Sequence, residues 1–363
     1  MTDQGVSQPA ARELLIDLVE IPSPSGEEDA AAERLVEFFE TYDREVFRDD
    51  VGNVRAPADD AVLVTSHIDT VPGDIPVEVE STDEGDVLWG RGSVDATGPL
   101  AAMAVAAVRT GVSFAGVVRE EVDSRGANHL VETREPPETV INGEPSGANG
   151  IALGYRGMLS GTYVATSESG HTSRPEPNAI EQALSWWQRA EAAVEELGGD
   201  EYDPVFEQIT AKPVGIDGGT SADGLSVETV MDIEFRIPPS TDAETIHERA
   251  DGALDTGTIR WNDPVPPVMQ SPRTPVARAL RGAIRAGGED PRLLRKTGTS
   301  DMNIYAAWGQ PMATYGPGDS NLDHAPNEHL SLAEYDQSVA VLERACDRLI
   351  EAADTTATTP TQE

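Results

Sequence analysis

Two residue types are nearly missing from this chain of 363 residues: cysteine, present once as Cys346, and lysine, present only as Lys212 and Lys296. A single cysteine excludes an internal disulfide framework and a thiolate-based metal site. Cys346 sits in a helical pattern near the C-terminus, a poor setting for a nucleophile. Long apolar runs are missing as well. None approaches the roughly 20 residues that span a bilayer, and the N-terminus has neither a basic start nor an apolar signal stretch. The expectation is a soluble, cytoplasmic protein.

Positive charge is scarce, with 26 Lys and Arg against 65 Asp and Glu, for a formal net charge of −39. Such a shell repels nucleic acid and anionic membranes. Its self-repulsion is tolerable mainly where salt screens it, since the Debye length falls to about 3 Å at 1 M. The acids are spread over the whole length, which favours adaptation to a high-salt cytoplasm over an acidic face made for a cationic partner.

The first part of the chain alternates helical and strand patterns. Ala11, Leu14, Leu15, Leu18 and Val19 have helical spacing and stop before Pro22, and Ser25 followed by Glu27 and Glu28 is expected to open a second helix toward Phe39. Strands are expected at about 61–66, 114–119 and 138–142, with a helix from about Pro99 to Val108 between the first two. That order predicts an α/β domain with a mostly parallel sheet and helices on both faces. From Gly157 to Pro266 the texture changes to long alternating strands and amphipathic helices, an inserted α+β module that ends at the Pro-rich stretch "DPVPPVMQSPRTP". The predicted division is therefore 1–156 and 267–352 for the catalytic domain, 157–266 for the insertion, and a disordered polar tail at 353–363.

In "SHIDTVPG", His67 and Asp69 follow an apolar run. Residues i and i+2 of an extended segment point the same way, so both can face the crevice where open α/β sheets place ligands. A metal-bound imidazole needs an acceptor on its second nitrogen, which a carboxylate supplies; two solvent-facing loop groups are the plainer alternative. The next strand ends in "VVREEVDS" with Glu120 and Glu121, a third in "INGEPSG" with Glu144, and "WGRGSVDATG" holds Asp95 in a Gly-bounded turn before a helix. Adjacent carboxylates at a strand end repel unless a cation or different roles separate them. His324 lies in the loop "SNLDHAPNEHL". Two imidazoles and three carboxylates (His67, Asp95, Glu121, Glu144, His324) fit two zinc-like ions, with one carboxylate bridging and one His and one carboxylate on each. Asp69 then orients His67, and Glu120 serves as general base. His129, His247 and His329 are expected at the surface or in loops, outside this set. His171, between a strand and a helix, reads equally as a residue of the helix-capping region.

The ordered set "HIDTVPG", "WGRGSVDATGPLAAM", "EEVDSRGA", "NGEPSG", "GHTSRP", "FRIPP" and "TGTSDMN" resembles the dinuclear-zinc aminoacylase and carboxypeptidase family, which includes acetylornithine deacetylase and succinyl-diaminopimelate desuccinylase. The resemblance implies that Asp95 bridges, that His67 and Glu144 serve one metal and Glu121 and His324 the other, and that Glu120 is the base. It further implies that His171 stabilises the oxyanion, and that Arg236 and the loop residues Gly298, Thr299 and Ser300 bind substrate. An Arg fork suits a carboxylate. The metals implied are zinc, with cobalt or manganese as alternatives for this ligand set. The insertion would act as lid and dimerisation domain of a homodimer.

Within the family, "SHIDTVPGDIPVEVE", "DSRGANHL" and "KTGTSDMNIYAAW" resemble the hydrolases that release lysine or ornithine from LysW, a small acidic amino-group carrier protein, in lysine and arginine biosynthesis. The rivals are a small-molecule acyl-amino-acid deacetylase or dipeptidase and a catalytically dead scaffold, and the last predicts a missing base or ligand where none is missing. Arg119 stands before the Glu pair where many relatives have a small or acidic residue. Basic residues also gather between Arg273 and Lys296, a stretch that reads either as a helix face laced with local ion pairs or as a docking patch for the acidic carrier.

Overall fold

The computed structural model describes residues 5–83, 85–171, 173, 175–197 and 203–357. The chain forms two compact units, the first made of residues up to Leu153 with Gln270–Leu294 and Ser300 onward, the second of Gly154–Met269 with Arg295–Thr299.

The first unit is built on a sheet in which Val112–Val117, Asp59–His67, Val140–Gly143 and Met312–Thr314 run parallel as neighbours in that order. Val54–Ala56 joins one side antiparallel, and Gly150–Tyr155 the other. From Ala61 to His67 every residue is buried, the continuous apolar reading of a strand covered on both faces. Helices Gln8–Glu20, Thr97–Thr110, Pro275–Ala286 and Leu332–Ala357 pack with it into one core. Thr97–Thr110 carries eleven buried residues and ends at Gly111, whose φ of +77° closes the helix at no Cβ cost.

Three expectations need correction here. The second helix spans Asp29–Thr41, starts at Glu28 without a side-chain cap, and leaves the Ser25 hydroxyl free to bond Asp69 instead. Glu120 and Glu121 lie in a turn after the strand has ended at Val117, with Arg119 at φ +64°, and not on an extended strand end. The last helix runs on to Ala357, so the first five residues of the expected tail are helical, while 358–363 lie outside the described residues.

In the second unit, Thr210–Thr220, Ser226–Ile237, Gly157–Glu168 and Thr258–Trp261 form an antiparallel sheet in that order. Gly157–Glu168 alternates buried and part-exposed positions, the pattern of a sheet with one wet face. Its dry face receives helix Ala179–Glu195, opened by a capping box of Asn178 and Glu181. Trp186 stacks on Tyr163 with ring centroids 4.6 Å apart, and its indole N–H donates to the Ala250 carbonyl at 3.2 Å, so the polar edge is satisfied inside the core.

Candidate metal centre

Four loops of the first unit converge beyond the C-terminal ends of its parallel strands. His67 ends the Asp59–His67 strand; Asp95 precedes the Thr97–Thr110 helix; Glu120 and Glu121 follow Val112–Val117; Glu144 follows Val140–Gly143. His324 arrives from a loop late in the chain at φ +59°, a conformation that costs an L-residue about 1–2 kcal/mol and recurs at functional sites.

Asp95 sits between the two imidazoles and turns a different oxygen to each. Its Oδ1 is 3.3 Å from His67 Nε2, and its Oδ2 is 3.1 Å from His324 Nε2. Glu144 Oε2 flanks His67 Nε2 at 3.8 Å, and Glu121 Oε1 flanks His324 Nε2 at 3.1 Å. The donors thus fall into two halves of one His and one carboxylate each, sharing Asp95. Within the cluster, ligand atoms of His67, Asp95 and Glu121 lie within 4.8 Å of one another. Nitrogen and oxygen donors without sulfur suit zinc, cobalt or manganese.

The electrostatics give a second reason why the residues fit a cation. Burial, opposed by His67 but reinforced by the nearby acids Glu144, Asp301 and Glu121, holds the Glu120 carboxyl well above its ordinary range; burial does the same to Glu144 and, less strongly, to Glu121. Burial works against the charge of Asp95 too, but His324 and His67 outweigh it and hold its carboxyl well below the usual range. Asp95 hydrogen bonding raises His324 to about 9. An acidic pocket of this kind is relieved by divalent charge.

These shifts fix the sign of a pH effect. A histidine raised from 6.5 to about 9 stabilises the metal-free fold fully below pH 6.5, and that contribution is lost as pH rises through about 9. The raised carboxyls of Glu120 and Glu144 act in the same direction. Metal uptake needs the neutral imidazole and strengthens over the same window. The Tm gap between metal-loaded and chelated protein should therefore widen from pH 6.5 to pH 9; thermal scans showing a constant gap would contradict the assignment of His324.

Asp69 lies between His67 and the Glu pair, and its backbone, not its carboxylate, is the nearer partner of the imidazole. His67 Nδ1 meets the Asp69 backbone carbonyl at 2.8 Å, with the carboxylate at 3.6 Å. That carboxylate accepts the Glu120 N–H at 2.9 Å, the Glu121 N–H at 3.1 Å and the Ser25 hydroxyl at 2.6 Å, so it holds the turn that carries the Glu pair. Arg119 pairs with Asp123 at 2.7 Å. Sequence reading missed Asp301, which is buried, carries one oxygen without a hydrogen-bond partner among the described residues, and is pushed up by burial to about 7.

The remaining candidates are placed as follows. His171 belongs to the second unit, is exposed, and its Nδ1 is 2.8 Å from Ser173 Oγ. Arg236, also in that unit, pairs with Glu234 at 2.7 Å and reaches Thr299 Oγ1 at 3.4 Å; Gly298 is exposed beside it in sequence. Ser300 is buried and its hydroxyl caps helix Asp301–Tyr305 by accepting the Met302 N–H. His129 lies 3.8 Å from Asp49, and His247 and His329 pair with Asp251 and the Asn327 carbonyl, all outside the cluster. Burial raises the Cys346 thiol to about 12, which removes it as a nucleophile. No helix of the described residues is long and apolar enough to cross a membrane.

Acids and two imidazoles gathered at parallel strand ends, His67 buried and His324 exposed, are the kind of centre a metal-dependent hydrolase uses. The model of peptidase family M20/M25/M40 matches residues 63–348, and the chain belongs to that family. It is 39% identical to the [LysW]-lysine hydrolase of Deinococcus radiodurans, over 94% of this chain and 97% of that protein. It is 30% identical to the [LysW]-lysine/[LysW]-ornithine hydrolase of Sulfurisphaera tokodaii, over 92% and 93%. Among solved structures it shares its fold with an M20 family metallo-carboxypeptidase from Sulfolobus solfataricus, with a TM-score of 0.76 at 19% identity over 93% of this chain and 99% of the other. A tripeptidase from Staphylococcus aureus gives a TM-score of 0.77 at 20% identity, over 95% and 100%.

Proposed function

We propose that the protein is a two-metal amidohydrolase that releases lysine or ornithine from the carrier protein LysW, in lysine or arginine biosynthesis. The observation that carries the chemistry is Asp95, which offers one oxygen to each of two His and carboxylate pairs. The substrate is carried by the likeness, along nearly the whole chain, to LysW hydrolases.

Two divalent ions held by His67, Asp95, Glu144, Glu121 and His324 would supply carbonyl polarisation and a water of lowered pKa. Glu120 takes the proton of the attacking water and hands it to the leaving α-amine as the amide C–N bond breaks, leaving a carboxylate on the carrier and a free amino acid. Asp69 keeps Glu120 in place through its backbone. On the family resemblance, His171 stabilises the oxyanion, and Arg236 with Gly298 and Thr299 binds the substrate carboxylate; Ser300, already a helix cap, supports that loop.

A protein-linked substrate needs a docking face. Helix Pro275–Ala286 contains no acid, and its Arg278 and Arg285 are exposed, as is Arg273 before it, with no ion pair among the described residues. In a chain of net charge −39 this is the surface suited to an acidic carrier. The same reading includes a high-salt cytoplasmic setting and a homodimer through the second unit, where Val214 and Ile216 stand exposed on the edge strand Thr210–Thr220.

The test is hydrolysis in high salt, after loading with zinc, of LysW-lysine, LysW-ornithine and acetylornithine side by side. Faster release from a carrier substrate is expected, and Arg278→Glu with Arg285→Glu should raise KM for that substrate alone. Lysine and ornithine differ by one methylene, worth about 1–3 kcal/mol in a pocket. Turnover of acetylornithine alone would move the protein to the small-molecule deacetylases.

A further inference from the structure

We propose that Glu328 is a positioning residue for Asp95: it holds the turn that presents the shared carboxylate by binding two successive backbone amides. The inference rests on the two-metal reading above.

Glu328 is fully buried, and a carboxylate is kept in such a place only with partners. Its Oε1 accepts the N–H of Val94 at 2.8 Å and of Asp95 at 3.0 Å. Its Oε2 accepts from Arg91 Nη1 at 2.6 Å, which offsets its charge inside an already acidic region. All three donors come from the one short segment Arg91–Asp95, so Glu328 closes that segment into a fixed loop. The loop has little room to relax another way. Gly92 lies at φ +82°, and a Cβ there would stand 2.7 Å from the side chains of Thr70 and Thr97.

Glu328 follows His324 by four residues. One segment therefore delivers the imidazole that meets Asp95 Oδ2 and also the acceptor that fixes the Asp95 backbone. The arrangement repeats at Asp69, a buried acid outside the ligand set that accepts the amides of Glu120 and Glu121. The Asp95 turn and the Glu120–Glu121 turn are thus each held by a second carboxylate through paired N–H groups. Groups that orient metal ligands in this way typically contribute 10–100-fold to metal affinity.

The experiment measures Zn2+ binding to chelated protein by competition with a chromophoric chelator, for the parent chain, Arg91→Met, Glu328→Gln with Arg91→Met, and Glu328→Met with Arg91→Met. Glutamine keeps an oxygen for the two amides, methionine keeps the volume without the acceptor, and removing Arg91 spares the glutamine a cation beside its own N–H groups. Expected is binding of two ions within about threefold of the parent for the glutamine form, and weakening by about 10–100-fold for the methionine form, for both ions because Asp95 is shared. Equal affinities in the methionine and glutamine forms, whatever their Tm, overturn the proposal and leave Glu328 a structural acid. If the methionine form does not fold, the glutamine form decides: parent-like binding supports the role, and a tenfold loss overturns it. A parent chain that takes up no zinc defeats the two-metal reading itself, whereas two ions bound equally by all forms defeat this inference alone.

Discussion

Glu120→Gln is expected to lower kcat by about 10²–10⁴-fold, the range that general acid–base groups supply, with KM nearly unchanged and two metal ions still bound. Glutamine matches the shape of the carboxylate but cannot accept the proton of the attacking water. Since Asp69 grips residue 120 by its backbone N–H, the turn is undisturbed, and Glu121 keeps its place beside His324. The acid limb of the kcat/KM profile against pH should disappear with the carboxylate. Metal analysis beside steady-state kinetics separates the outcomes: retention of more than about a tenth of kcat would remove Glu120 from proton transfer, and loss of metal would make it a ligand.

Asp95→Ala has the second large effect. It removes the one carboxylate that faces both imidazoles, so the ion content should fall from two to at most one weakly held, and hydrolysis should fall by roughly 10³-fold or more, given several kcal/mol of charge stabilisation at about 1.4 kcal/mol per factor of ten. Chelation of the parent chain should reproduce the loss, and zinc, cobalt or manganese should restore activity to the chelated parent but not to the Asp95→Ala form. Full activity in the presence of a strong chelator would contradict the whole site.

The candidate cluster was legible because its residues sit at places that apolar patterns mark. The run before His67 and the run FAGVV before the Glu pair end where polar residues of ligand type begin, and the buried strands follow those runs. The second unit was legible for a different reason, the strict alternation along Gly157–Glu168 and Ser226–Ile237. What stayed hidden has no local pattern. Strand Glu78–Thr82 is exposed throughout and has no buried face to impose alternation. Arg119 occupies a left-handed conformation that nothing in an arginine announces. Glu328 reads as one surface acid among 65 Asp and Glu residues, and only the fold shows it buried against the Asp95 turn. Thr355 and its neighbours resemble a tail because β-branched residues are weak helix formers, yet the helix continues to Ala357.

Gln270 donates its backbone N–H to the Leu153 carbonyl at 2.7 Å, so the main excursion into the second unit departs and returns at adjacent points. Such a junction tolerates exchange, because whatever is spliced there need only bring its own ends together. In genetic terms Gly154–Met269 is a cassette: one contiguous block of coding sequence can be replaced while His67, Asp95, Glu120, Glu121, Glu144 and His324, all encoded outside it, are inherited untouched.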